Sequence, residues 1–144
     1  MQVLSVLFGS LFLFRLLGAA GVSQFANWDV CARFALATMF VFTAVSHFAP
    51  MRKDLIAMVP PSFPRPDLIV FVTGLLELAG AAGLLFAATR FWAACGLILL
   101  MVAMLPANIS AARRGIKLRG KSATPLSIRV PMQALFILWS WYVR

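Results

Sequence analysis

The chain has four acidic residues, and only Glu77 falls inside a long apolar segment. It lies ten residues beyond Asp67, which at about 1.5 Å per residue carries it to the middle of a spanning helix. An ionisable group at that depth costs about 2.5–3.5 kcal/mol on insertion scales, so it faces a bundle interior or a cavity. Thr73, Gly74, Gly80 and Ala81 stand three and four residues away on the same helical face. Small residues there let a second backbone approach closely. Two roles fit Glu77: a group that exchanges protons with a ligand, or a protonated or paired carboxyl that only holds helices together.

Further polar groups fall toward one end of the apolar segments. They are His47, Asn108, Arg129 and Gln133, the last two one turn apart on one face. Pro106 deprives the Val102 carbonyl of its helix bond, and irregular backbone at membrane depth is tolerated where it lines a cavity or is buried in protein. With Glu77, these side chains are the candidate lining of a polar pocket. Each also has a plainer role: His47 as an interfacial residue, Asn108 as an interhelical hydrogen bond, Arg129 snorkelling to lipid phosphate. Arg15 in the first segment either pairs with Glu77 or snorkels outward. Cys31 and Cys95 form either an outward-facing redox pair or two small buried hydrophobes.

Other chemistries find no residues. There is no phosphate-cradling glycine loop, paired-carboxylate site, metal-type cysteine spacing or nucleophile–base–acid set. No ligand set for haem, flavin or an iron–sulfur cluster is visible, so an electron donor would have to be a partner. Whether the chain is an enzyme stays open, and no catalytic residue is assigned.

The elements that must position these groups follow from composition. Of 144 residues, 62% are hydrophobic and 12% charged, with mean hydropathy +0.95. A soluble domain is about half apolar and a quarter charged. Apolar runs of about 20 residues without period-two alternation predict membrane-spanning helices rather than strands. The expected fold is therefore all-α: a single polytopic transmembrane bundle over residues 1–144, four helices plus an added one at the N-terminus. The segments run from Met1 to Val22, Val30 to Phe48, Asp67 to Ala87, Arg90 to Ala112 and Leu126 to Val143. Asp29 and Asp67 are the expected N-caps of the second and third. No Lys or Arg precedes Arg15, so the first segment reads as a retained helix rather than a signal peptide.

The net charge of +9 sits mainly in two loops: Arg52, Lys53 and Arg65, then Arg113, Arg114, Lys117, Arg119 and Lys121. This marks cytoplasmic loops beside anionic lipid, not nucleic acid. Five spans then put the N-terminus inside and the C-terminus outside an inner (plasma) membrane. In the first loop, Met51 to Val59 is expected to form a short surface helix with Leu55, Ile56 and Val59 toward lipid. The prolines from Pro60 to Pro66 are expected to run extended.

The stretch from Arg33 to Trp141 resembles the DoxX family of small bacterial membrane proteins. The likeness rests on Ser46-His47-Phe48, Val59-Pro60-Pro61 with Pro64, Thr73 to Leu78, Gly80 to Leu85, Thr89-Arg90, Pro106-Ala107-Asn108 and Arg129 to Gln133, in that order. It implies a four-helix transmembrane core over residues 30–143, with residues 1–22 an added helix. Family members have been linked to quinone-coupled oxidation of sulfur compounds, as a small membrane subunit. Distant animal relatives act as assembly chaperones for receptors. The expectation is an accessory membrane subunit of a redox system, binding a quinone or another lipid-soluble molecule among His47, Glu77, Asn108, Arg129 and Gln133. Its rival is a non-catalytic assembly factor whose glycine-rich third segment packs against a client membrane protein.

Overall fold

In the computed structural model, residues 2–118, 120–122 and 124–144 are described. Met1, at the head of the first segment, and Arg119, in the basic loop, lie outside them. The chain is an all-helical bundle. Helix α1 spans Gln2–Ala19, α2 Trp28–Phe48, α3 Arg52–Met58, α4 Pro66–Leu85, α5 Arg90–Ala103, α6 Leu105–Arg113 and α7 Leu126–Tyr142. A 3-10 turn at Ser23–Phe25 links α1 to α2. Strands β1 (Lys117–Leu118) and β2 (Lys121–Ser122) form a small antiparallel hairpin before α7. Gly120 at its tip has φ +75°, a conformation glycine adopts without a Cβ clash.

Four stretches are long and apolar enough to cross a membrane: α1, α2, α4 and the α5–α6 pair. Helix α7 has 17 residues, about 25 Å at 1.5 Å per residue, the short end of a span. Large apolar side chains point outward along the bundle, among them Phe12, Phe42, Leu76, Trp92, Leu99 and Leu138. That is the surface expected of a protein whose solvent is lipid.

Helix α2 is the centre of the bundle. Its buried face of Ala32, Ala35, Leu36, Met39 and Phe40 shares one core with Leu7 of α1, Ala81 and Leu84 of α4, Leu97 of α5 and Phe136 of α7. At one end of α2, Trp139 of α7 donates to the Ala32 carbonyl at 3.1 Å and Tyr142 donates to Asp29. The N-cap position of α2 is held by Asn27, and Asp29 sits inside the first turn. Asp67 is likewise inside the first turn of α4, whose N-cap position is Arg65. Pro66 explains the shift, because a proline's fixed φ and missing N–H suit the first helical position.

The fourth apolar segment is broken in two. Helix α5 ends at Ala103 and α6 restarts at Leu105 with Pro106 in its first turn, where proline chemistry requires a fault. Pro131 inside α7 likewise frees the Ser127 carbonyl. Pro60 to Pro66 is less extended than its prolines suggest. Phe63 N–H closes a turn on the Pro60 carbonyl at 3.0 Å, and Arg65 is left-handed at φ 50°.

Helix α3 departs furthest from expectation. Met58 and Val59 are buried rather than turned to lipid, and Leu55 and Met58 face a cavity inside the bundle. Arg114, just past α6, ties the end of α3 to the bundle. Its Nη2 donates to the carbonyls of Ala57, Met58 and Val59 at 2.7, 3.0 and 2.9 Å. Those carbonyls cluster at the C-terminus of α3, where backbone acceptors lack helical partners. Arg114→Ala is expected to release α3: amide exchange at residues 55–59 should rise about tenfold or more while α2 and α4 stay protected. Unchanged exchange there would show that apolar contact alone seats the helix.

Candidate functional site

The carboxyl of Glu77 is buried at 3% exposure, where α4 meets α2. Its Oε2 accepts a hydrogen bond from Thr43 Oγ1 at 2.8 Å, and its Oε1 lies 3.6 Å from His47 Nε2. Thr43 and His47 are one turn apart on α2, so one helical face presents both partners. The other ring nitrogen of His47 lies 2.8 Å from the Val70 carbonyl. A carbonyl can only accept, so Nδ1 carries a proton there. Nε2 then faces a carboxyl oxygen across 3.6 Å. Two bare lone pairs would repel, so one further proton, on histidine or on Glu77, is what makes this approach attractive, and with it the pair is neutral overall.

Gly74 makes the contact possible. A Cβ on it would stand 2.6 Å from His47 Cβ and 3.0 Å from Cγ. Two turns on, a Cβ on Gly80 would stand 2.5 Å from the Leu97 side chain of α5. The small-residue face read from the sequence is thus covered by this chain's own α2 and α5. Glu77 likewise finds its partners within the chain. Arg15 is not among them: its guanidinium donates to the Phe25 and Ala26 carbonyls at 3.3 and 3.0 Å and lies over the Trp28 ring. Arg15 sits at the end of α1 beside the start of α2, whereas Thr43 and His47 are near the far end of α2. Cys31 and Cys95 are both free thiols, and Cys31 is buried with its sulfur 3.3 Å from the Phe25 carbonyl.

The second polar group stands on α6 and α7. Arg129 Nη1 donates to Asn108 Oδ1 at 2.7 Å, and Gln133 Nε2 donates to the Met101 carbonyl at 2.6 Å. Met101 lies just before the α5–α6 fault, so the proline break and the glutamine meet at one place.

Both groups open onto one cavity of about 670 Å³. All five residues named from the sequence line it: His47, Glu77, Asn108, Arg129 and Gln133. The sequence reading passed over the rest of the wall. Thr43 and Ser46 add hydroxyls from α2, and Gln2 and Val3 bring in the start of α1. Met39, Met51, Met58, Met101, Met104 and Met132 also line it. These are six of the chain's seven methionines, all but Met1. Their clustering was present in the sequence only as six scattered positions on different segments. A smaller hollow of about 450 Å³ near Pro60, Pro106 and Arg114 has no buried polar side chain. Among the described residues, no three of His, Cys, Asp or Glu come together as a metal site.

Chemically, the large cavity offers a neutral proton-holding pair on one wall. It offers a guanidinium with two amides on another, and flexible polarizable thioethers between them. Such walls adapt to ligands of irregular shape, and the volume falls in the range of about 300–1,000 Å³ typical of small-molecule sites.

No curated protein and no solved structure gives a significant match to this chain. A family model described as a domain of unknown function, DUF8561, matches residues 36–144. That stretch contains the five polar residues named from the sequence and all six methionines of the cavity, while α1 lies before it. By this match over most of its length, the chain belongs to the DUF8561 family.

Proposed function

We propose that the protein is a membrane-embedded binding protein for a lipid-soluble small molecule with a polar head, a quinone-like molecule being one such ligand. The observation that carries the reading is the convergence of His47, Glu77, Asn108, Arg129, Gln133 and six methionines on one cavity of about 670 Å³. A purely structural use of Glu77 and His47 needs no space beside them. Here the space exists, and it is lined by donors that would meet the oxygens of a head group: the Asn108 and Gln133 amides and the Arg129 guanidinium. The Glu77–His47 pair supplies a proton that redox chemistry on such a ligand would take up or return. The ordered motifs similar to the DoxX family support placing the chain as an accessory subunit of a redox system, with electrons supplied by a partner. The basic loops support an inner-membrane topology with those loops, and the end of the cavity lined by Met51 and Thr124, on the cytoplasmic side.

The rival role is an assembly factor. Its docking surface would lie elsewhere than the glycine face of α4, since α2 and α5 cover that face.

The test is native mass spectrometry of the protein extracted gently from its own membrane, beside Glu77→Gln. Glutamine keeps a carbonyl for Thr43 and an N–H for His47 Nε2, so folding should survive while the proton-exchanging group is gone. A small ligand retained by the wild type and lost from Glu77→Gln is the expected result. Equal retention by both removes Glu77 from ligand binding. A stoichiometric membrane protein with no small ligand favours the assembly role.

A further inference from the structure

The proton count in the cavity bears on what its ligand must carry. Three ionisable side chains face the space: His47, Glu77 and Arg129. Glu77 is engaged by His47 and Thr43 across α2 and α4. Arg129 stands apart from both on α7. It is half-buried, and its side-chain hydrogen bond goes to the neutral amide oxygen of Asn108 at 2.7 Å. Among the described residues no carboxylate lies within ion-pair distance of it, and the cavity's one acid is engaged by Thr43 and His47. A guanidinium has five N–H donors in a planar fork, and the Asn108 bond occupies one. The hydrogen bond to Asn108, itself a cavity residue, directs the group toward α6 rather than outward to lipid.

A single positive charge beside apolar walls is strongly unfavourable unless an anion joins it. Resting on the cavity reading above, we infer that the ligand is an amphiphile with one anionic head and one apolar tail. The head sits on Arg129, with the Asn108 amide N–H group as second donor. The tail runs inward past Met132 and Met101 toward Phe136 and Met39. This order suits a membrane, because Arg129 lies in the first turn of α7, near the end of the bundle that carries Met51 and Thr124, whereas Met39 and Phe136 lie deeper. The volume suits one chain and is too small for a two-chain phospholipid. The acid is therefore a free single-chain molecule and not the headgroup of a bilayer lipid.

The test uses the full chain in a nonionic micelle at about pH 8, where a carboxylic acid is ionised. Three probes are compared by native mass spectrometry at equal concentration: dodecanoate, dodecanol and a neutral short-tailed benzoquinone. A parallel sample in nanodiscs containing phosphatidylglycerol shows whether a bilayer lipid occupies the site instead. Dodecanoate is expected to bind about tenfold more tightly than dodecanol, the size of one charge-assisted contact. That preference should vanish in Arg129→Gln, the acid losing far more affinity than the alcohol, and partly persist in Arg129→Lys. Equal binding of the acid and the alcohol to the wild type overturns the inference, whether or not any variant folds. So does a preference that survives Arg129→Gln, or a phospholipid that displaces dodecanoate. Benzoquinone binding without an acid preference leaves the cavity reading standing and removes only the anionic head. Binding of none of the three probes removes the cavity reading itself.

Discussion

Glu77→Leu is expected to destabilise the bundle by about 2–4 kcal/mol, and adding His47→Phe should recover most of that loss. Two magnitudes bracket the single-variant effect. Ordinary interhelical hydrogen bonds in membranes average about 0.6 kcal/mol and reach about 1.7. Removing one partner of a buried ionic pair costs about 3–5 kcal/mol, because the other is stranded. Glu77→Leu strands His47 Nε2 and takes one of two acceptors from the Thr43 hydroxyl, which keeps the Phe40 carbonyl at 3.0 Å; the stranded nitrogen makes the loss exceed an ordinary bond. His47 keeps its contact with the Val70 carbonyl, and the cavity can admit water to Nε2, which holds the cost below the upper figure. Replacing both partners removes the stranded nitrogen and fills the space with apolar atoms. Reversible unfolding in mixed micelles, run as a double-mutant cycle, reads the coupling directly. Losses that simply add would mean that the two side chains do not act as a pair.

The second large effect is expected at Gly74. Gly74→Ala puts a methyl 2.6 Å from His47 Cβ and 3.0 Å from the Phe48 ring. The Phe48 ring tip can swing away, but the His47 Cβ is fixed to the α2 backbone and cannot. The helices must separate, at about 1–3 kcal/mol by the usual cost of overpacking. His47 moves with α2, so the contact with Glu77 weakens and ligand retention should fall together with stability. Gly96→Ala is the control. It lies in α5, nothing stands within 4 Å of its would-be Cβ, and alanine there should leave stability level or raise it by up to about 1 kcal/mol. Equal effects at the two glycines would refute the close approach of α2 to α4.

Much of this site is legible in the sequence, for a reason particular to lipid. A charge or an amide in a spanning segment is expensive enough to stand out from a single sequence, and so Glu77, Arg129, Gln133 and Asn108 announced themselves. Pro106 announced the α5–α6 fault in the same way, since a missing N–H has a fixed consequence. Partners were much harder to read. Thr43 is an unremarkable residue in an apolar helix, and only the depth at which α2 crosses α4 makes it the donor to Glu77. Arg15 went elsewhere because the turn at Ser23–Phe25 offers carbonyls nearer to hand. Helix α3 was misread because amphipathicity alone does not say whether the apolar side meets lipid or protein. The deciding contact comes from Arg114, more than fifty residues later in the chain. The methionines gave no periodic signal, since they lie on α2, α5 and α7 and in and around the α3 loop.

That methionine wall has a chemical vulnerability built into it. A thioether takes up one oxygen atom to become a sulfoxide, which is polar, chiral and reversible only by dedicated reductases. Nearly every such sulfur in this chain faces the same space, so an oxidant entering it would not scatter its damage over the molecule. It would rewrite the lining from greasy to wet in one compartment and leave the lipid-facing surface as it was. The bundle would still span its membrane while its interior ceased to welcome a hydrocarbon tail.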